Sequence, residues 1–407
     1  MKKLFFFFLL IVFSTVSLTQ ERVRVMSYNL HNYPNNQDVD FKKIINQINP
    51  DVFVVVEMIQ QVGVNQFLSN VLSQDFTSVQ VQIKGTNSAG NDGNDCAFYY
   101  KNSVLTLIEY KAISARTRVI SKFKMVHNAT RDTLIIFGVH LKANSFTSDN
   151  IENALKRADA VQTLRNETNL YNSRTNFLVC GDFNIFSSNE VAFQKLIDQT
   201  SPGYFIDMFY ASGDWSGDPK FSTICTYSTT NLNTRLDMIL ISQALKDLGG
   251  IDYVDSSFKI FGNDGAHFNK AVTTGTNTWF LNDPAMGVSL KNASDHLPIY
   301  ADFIFNGTTD VGVSQNLPVQ FELMQNYPNP FNPSTVISYQ LPVAGYVMLK
   351  VYDILGREIS TLVNEIKQPG IYQTQFSILS SNLSSGIYFY QLATDKNIQT
   401  KKMLLTK

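Results

Sequence analysis

The chain has 407 residues, 44% hydrophobic and 16% charged, with a formal net charge of −1. Those values exclude a disordered, collagenous, coiled-coil or multi-span membrane protein, and they provide no global basic field to recruit nucleic acid. Three cysteines are too few for a disulfide-built scaffold, and their odd number leaves at least one thiol unpaired within the monomer. Charge is unevenly spread. Residues 1–19 carry +2 and residues 325–407 carry +3, which leaves −6 for residues 20–324. An anionic substrate would need a metal or a local basic patch to enter that middle segment.

The first element is an export signal over residues 1–19. Lys2 and Lys3 precede the apolar run Leu4–Val16, and the small residues Ser17 and Thr19 follow. A run of about 13 residues is too short to cross a bilayer core of ~30 Å, so it fits a signal-peptide core and no stable membrane span. Cleavage is expected between Ser17 and Gln20.

Residues 20–306 alternate apolar strands with amphipathic helices. Val23–Tyr28 reads as a strand ending in Asn29, and Asp40 caps a helix with Phe41, Ile44, Ile45 and Ile48 on one face. Val52–Val56 is a buried strand ending in Glu57, and a second helix spans Val64–Leu72. Strands follow at Cys96–Tyr100, Leu105–Tyr110, Arg118–Met125 and Leu134–His140. A long helix covers Ile151–Thr168, with later strands at Phe177–Gly181, Leu236–Ile241 and Pro298–Phe305. The fold class is α/β, with enough sheet for two layers.

Metal-competent and polar residues recur at the ends of these strands: Asn29, Glu57, His140, Asp182, Asn184, Asp237, Asp295 and His296. A strand end can hold a side chain in fixed geometry where rigid scaffold meets solvent. Singly, each has a local explanation as a turn, cap or Asx residue. Together they exceed what turns require. Asn29 and Glu57 offer oxygen ligands suited to Mg²⁺, Mn²⁺ or Ca²⁺, and the lack of a Cys/His cluster argues against structural zinc. In Gly181-Asp182-Phe183-Asn184 the acid and the amide point to one side if the backbone stays extended. The acid can then activate a water while the amide holds a developing oxyanion. His296 can donate to a phosphoryl oxygen when a carboxylate stands behind it.

These residues and their order resemble the endonuclease/exonuclease/phosphatase superfamily over residues 22–306. Met26-Ser27-Tyr28-Asn29-Leu30, Val54-Val55-Val56-Glu57, Val139-His140-Leu141-Lys142, Gly181-Asp182-Phe183-Asn184, Arg235-Leu236-Asp237-Met238-Ile239-Leu240 and Ser294-Asp295-His296-Leu297-Pro298-Ile299 carry the resemblance. Val56 departs from it by replacing the glutamine that precedes the glutamate in the family. The resemblance implies a four-layer α/β sandwich of two packed mixed sheets with helices outside. It implies that Glu57, with Asn29 nearby, binds a divalent cation and that Asp182 activates water. It further implies that Asn184 and His140 contact phosphate, that Asp237 pairs with His296, and that Asp295 supports the metal or phosphate side. Asp95 is the candidate for a further acid that pairs with the histidine in some members. Lys142 and Arg235 are candidate phosphate-binding residues or solvated charges, while His31, His127 and His267 read as ordinary loop or edge residues.

The activity implied is a metal-dependent phosphodiester hydrolase, foremost a nuclease acting on DNA or RNA. A phospholipase C-like or sphingomyelinase-like enzyme, or a phosphatase, is the alternative. The Thr278-Trp279-Phe280-Leu281 patch is the one suggestion of a lipid-docking loop, with core packing as its competing explanation. A non-catalytic surface-binding module would have no use for the acid, amide and histidine set.

Residues 307–324 lack periodicity and read as a linker. Residues 325–407 begin with three prolines in six residues (Pro328, Pro330, Pro333), which forbids a helix, and continue as strands separated by turns. The strands are expected at Thr335–Gln340, Val347–Tyr352, Ile371–Phe376, Ile387–Leu392 and Gln399–Leu405, a small all-β sandwich. Asn326-Tyr327-Pro328-Asn329-Pro330-Phe331-Asn332-Pro333, Val351-Tyr352-Asp353, Gly370-Ile371-Tyr372, Ser385-Gly386-Ile387-Tyr388 and Lys401-Lys402-Met403-Leu404 resemble the C-terminal sorting domain of type IX secretion. That resemblance implies the type IX machinery as a partner and a secreted or cell-surface location.

Overall fold

The computed structural model describes residues 20–79, 96–144, 150–247, 250–306, 321–326, 328–343, 345–367, 370–378 and 383–406. The expected export segment, Asp95 and most of the expected linker lie outside the described residues. The chain divides into two compact units, one ending at Thr308 and the other beginning at Thr309. No helix among the described residues is long and apolar enough to cross a membrane.

In chain order the strands of the first unit are β1 (Glu21–Tyr33), β2 (Val52–Met58), β3 (Phe76–Ser78), β4 (Ala97–Lys101), β5 (Leu105–Ile113), β6 (Ile120–His127) and β7 (Thr133–His140). They continue as β8 (Phe177–Asp182), β9 (Ile206–Asp207), β10 (Asp237–Ile241), β11 (Ile251–Tyr253), β12 (Lys259–Ile260) and β13 (Ile299–Phe305). The helices are α1 (Asp38–Ile48), α2 (Gln60–Asn70), α3 (Asn150–Thr168), α4 (Val191–Ile197), α5 (Ala244–Asp247) and α6 (Ala285–Ala293).

Among the described residues, one sheet runs β11-β13-β1-β2-β4-β3, with β12 also on β13, and the other runs β5-β6-β7-β8-β10-β9. Each has a parallel pair at its middle, β1–β2 and β7–β8, flanked by antiparallel neighbours. A parallel pair needs a crossover, and α1 and α3 supply it. The sheets pack on each other through β1 and β2 against β7, β8 and β10. Helix α1 covers the first sheet, where Phe41 meets Tyr28 edge-on with ring centroids 5.7 Å apart. On the second sheet, Glu167 of α3 pairs with Lys122 of β6. With both faces covered, Val52 to Val56 read as an unbroken apolar run rather than an alternation, and all five are buried. Two mixed sheets between helices make the four layers expected from the sequence.

This topology brings four strand ends to one edge. β1 and β2 finish there together, with Asn29 beside Val56. β7 and β8 finish at the same level of the other sheet, with His140 beside Asp182. Antiparallel β10 and β13 start where those strands end, so Asp237 pairs with Asp182, and Ile299 pairs with Ser27 just after His296. Two glycines permit the close approach. A Cβ on Gly181, whose φ is +142°, would overlap the Val139 carbonyl of the adjacent strand, and one on Gly138 would lie 2.6 Å from Cys96 Sγ.

Some expected boundaries shift. α1 begins at Asp38 after Gln37, so Asp40 lies in the first turn rather than at the cap. There its charge favours the positive helix end instead of closing it with a hydrogen bond. β1 extends beyond Asn29 to Tyr33. Helices α4 and α6 and the short strands β3, β9, β11 and β12 were not expected.

The second unit contains β14 (Glu322–Leu323), β15 (Ser334–Leu341), β16 (Gly345–Tyr352), β17 (Glu358–Lys367), β18 (Gly370–Ser377), β19 (Gly386–Thr394) and β20 (Ile398–Leu405). They form a β14-β15-β18 sheet and a β17-β16-β19-β20 sheet around a core that includes Ile337, Leu349, Val351, Tyr390 and Met403. Strand β14 lies inside the segment expected to be linker, and Leu323 is buried in this core. β17 was missed: its polar residues alternate irregularly around Val363.

Candidate active site

Glu57, His140 and Asp182 form the centre of the shared edge. One ligand atom from each lies within 4.8 Å of the others. His140 Nε2 is 3.9 Å from Glu57 Oε1 and 3.7 Å from Asp182 Oδ2, too far for direct hydrogen bonds. Asn29 knits the acids together: its Nδ2 donates to Glu57 Oε1 at 3.1 Å and to Asp182 Oδ2 at 3.2 Å. Its Oδ1 accepts the His31 N–H at 2.9 Å. The amide therefore orients the carboxylates and turns its oxygen away from them, which differs from the ligand role expected for Asn29.

Behind this centre, His296 Nδ1 bonds Asp237 Oδ2 at 2.8 Å, and His296 Nε2 points toward Asp182 Oδ2 at 3.9 Å. Ser294 braces the pair by donating to the Asn29 carbonyl at 2.8 Å while accepting the His296 N–H at 3.0 Å. Thr226 Oγ1 accepts the N–H groups of Leu236 and Asp237, which fixes the start of β10. Tyr227 lies against the imidazole, with ring centroids 5.0 Å apart.

Burial pushes the Asp182 carboxyl up to about 6, and the charges of Asp237 and Glu57 add to that while His296 and His140 oppose it. Burial alone would depress His296, but the charge and hydrogen bond of Asp237 outweigh it and hold the ring up to about 10. Asp237 therefore favours the protonated ring, which can donate from Nε2.

Two site residues at this edge have strained backbones. Glu57 and Asn184 occupy left-handed conformations, with φ of 59° and 50°. Non-glycine residues there cost on the order of 1–3 kcal/mol each, and such positions cluster at functional sites. Asn184 donates from its backbone to Asp182 Oδ1 at 2.9 Å and from Nδ2 to the Leu141 carbonyl at 3.2 Å. That turn breaks the extended backbone, so the acid and amide do not project side by side as the motif suggested.

Three expected residues are placed differently. Arg235 does not reach a phosphate: it is fully buried and holds Asp207 with two bonds of 2.8 and 2.7 Å. Asp295 stands at the lip, where its Oδ1 meets His31 Nδ1 at 2.7 Å rather than joining the central cluster. Lys142 is half-buried just past β7, and its carbonyl accepts from Arg157 at 2.8 Å. His31 was overlooked because its partner is 264 residues away in sequence. His267 is buried against Asp264 and the Thr274 carbonyl, a brace within its own loop. In the Thr278–Leu281 patch, Phe280 is buried and Trp279 donates to the Asn263 carbonyl at 2.8 Å, leaving Leu281 as its exposed apolar member.

Two carboxylate oxygens and one imidazole nitrogen, converging but not bonded to one another, fit a divalent cation of oxygen and nitrogen preference. The buried charge points the same way. Asp182 and Asp237 are both buried, and Asp237 Oδ1 has no hydrogen-bond partner.

No curated protein matches the sequence. Among solved structures, an endonuclease/exonuclease/phosphatase family protein from Bacteroides thetaiotaomicron is 13% identical, with a TM-score of 0.47 over 71% of this chain and 97% of that one. Zebrafish (D. rerio) TDP2 complexed with single strand DNA product is 14% identical, with a TM-score of 0.46 over 69% of this chain and 98% of that one. The human Nocturnin catalytic domain with bound sulfate is 17% identical, with a TM-score of 0.45 over 70% of this chain and 94% of that one. Residues 325–406 match the model of the secretion system C-terminal sorting domain. Residues 26–296 match the endonuclease/exonuclease/phosphatase family model, a span running from the start of the asparagine motif to the Asp237-paired histidine. The chain belongs to the endonuclease/exonuclease/phosphatase family.

Proposed function

We propose that the first unit is a divalent-metal-dependent phosphodiester hydrolase and that its substrate is nucleic acid. The observation that carries this reading is the convergence of Glu57, His140 and Asp182 within 4.8 Å beside the His296–Asp237 pair. Glu57, Asp182 and His140 would hold a Mg²⁺ or similar ion, which would supply Lewis-acid polarisation of the phosphoryl group. The protein's own groups do the rest. Asp182 takes the proton of the attacking water, its orientation held by Asn29 and by the Asn184 N–H. His296, kept protonated and aligned by Asp237, donates from Nε2 to a phosphoryl oxygen where negative charge grows. The strained turn at Asn184 holds the acid in a preset position, which avoids reorganisation during the reaction.

The test is hydrolysis of plasmid DNA, RNA, sphingomyelin, inositol phosphates and a p-nitrophenyl phosphodiester, with Mg²⁺ and with excess chelator. Nucleic acid cleaved with Mg²⁺ and spared by chelator is the expected result, and Glu57→Gln should weaken the response to added Mg²⁺. Full activity in chelator would sink the metal assignment.

The second unit, with its match to a sorting domain and no catalytic cluster among its described residues, serves type IX export to the cell surface or medium. Deleting residues 325–407 should leave an active enzyme in the periplasm. Undiminished release into the medium would remove this role.

A further inference from the structure

Beyond Asn29 the chain leaves its register with β2, and the shift runs from Asn29 to Tyr33. Within it, His31 and Asn32 are both left-handed, with φ of 48° and 63°. Two consecutive non-glycine residues in that region persist only where surrounding contacts impose it. The contacts on His31 are specific. Its N–H donates to Asn29 Oδ1 at 2.9 Å, its carbonyl accepts from Asn35 Nδ2 at 3.2 Å, and its Nδ1 meets Asp295 Oδ1 at 2.7 Å. Asp295 is held in turn, since its carbonyl accepts the Thr229 N–H at 2.9 Å and its chain neighbour is His296. The backbone of His31 is thus anchored to Asn29 and its ring to Asp295, the two residues that frame the site, yet its side chain is 54% exposed. Among the described residues nothing bonds its Nε2. A side chain strained into place, fixed at one ring nitrogen and left open at the other, is a prepared contact rather than a surface histidine.

We propose that His31 is a substrate-binding residue: its Nε2 hydrogen-bonds an oxygen of the sugar–phosphate strand flanking the scissile bond, and Asp295 holds the ring for that contact. The inference rests on the nucleic-acid reading of the site and deepens it. The outward nitrogen donates to a phosphate oxygen or accepts from a ribose hydroxyl, both carried on the same strand. The contact lies beyond the reacting phosphate, so it governs which substrates bind rather than how fast the bond breaks.

The experiment compares steady-state kinetics of the full chain, His31→Ala and His31→Gln in Mg²⁺. The probes are bis(p-nitrophenyl) phosphate, a single-stranded DNA oligonucleotide and an RNA of the same sequence. For His31→Ala, KM on the oligonucleotides should rise about three- to tenfold, the range of one hydrogen bond. Its kcat should move less than about twofold, and KM on the small diester should also move less than about twofold, because the lost contact is uniform binding to a flanking group. His31→Gln, which retains a donor and an acceptor, should recover part of the loss. A rise on both oligonucleotides identifies the phosphate oxygen, and a rise on RNA alone identifies the ribose hydroxyl. Equal losses on the small diester and the oligonucleotides would overturn the proposal, since His31 would then be a staple for the site. No loss in the presence of wild-type oligonucleotide cleavage would overturn it alone. Wild-type enzyme that cleaves only the small diester would overturn the nucleic-acid reading and this proposal together.

Discussion

Arg235 and Asp237 stand two residues apart at the start of β10, each buried against an oppositely charged partner. The Arg235–Asp207 pair is closed. The two terminal guanidinium nitrogens of Arg235 each bond one carboxylate oxygen, Nε has no hydrogen-bond partner, and the Trp215 and Phe209 rings enclose the cation at 4.8 and 5.3 Å. The His296–Asp237 pair is open. Asp237 uses one oxygen and leaves the other without a hydrogen bond, while His296 Nε2 faces a second acid at 3.9 Å. A pair sealed against aromatic rings can only hold structure. A pair that faces further titratable groups can act on a ligand, and the difference lies in what surrounds each pair rather than in burial or charge.

That contrast is sharpened first at the open pair. Asp182→Ala and His296→Ala should each lower turnover by about 10²–10⁴-fold, with circular dichroism unchanged. Because both serve one displacement, the double variant should lose less than the product of the single losses. Undiminished turnover in Asp182→Ala would return these residues to the role of turn formers.

The closed pair should fail in a different measurement. Arg235→Met leaves Asp207 buried and unpaired and should cost on the order of 3–5 kcal/mol in denaturant unfolding. Adding Asp207→Leu should restore most of it, because an apolar replacement of both partners removes the stranded charge. A large fall in kcat for the fully folded double variant would break the distinction between the two pairs.

The smallest expected effect joins the open pair to its neighbour. Asp237→Asn should reduce turnover by roughly 10²-fold through His296, by weakening the charge that keeps the ring aligned and protonated. In the His296→Ala background it should add little. Full additivity there would mean that Asp237 acts on the reaction by another route.

The sequence revealed the elements with strong periodicity. β2 and β8 are short apolar runs bounded by turns, and α1 places Phe41, Ile44, Ile45 and Ile48 on one face, so each was readable locally. α6 was not, because Ala285–Ala293 carries Gly287, Ser289 and Asn292 within a segment otherwise rich in loop residues. The site was legible where a residue closes a strand, as at Glu57, His140 and Asp182. It was illegible where the partner is remote. Arg235 beside Asp237 looks like an available cation until Asp207, 28 residues earlier, is placed against it. His31 looks like a loop residue until Asp295 arrives.

β1 and β13 are the first and last strands of their unit, and they lie side by side. Asn29 and His296 come within 3.5 Å of each other from positions 267 residues apart. Bringing together positions so far apart in sequence costs loop-closure entropy. The final strand therefore completes the site. A chain in which Ile299–Phe305 has not paired with β1 carries the side chains of the site without the site.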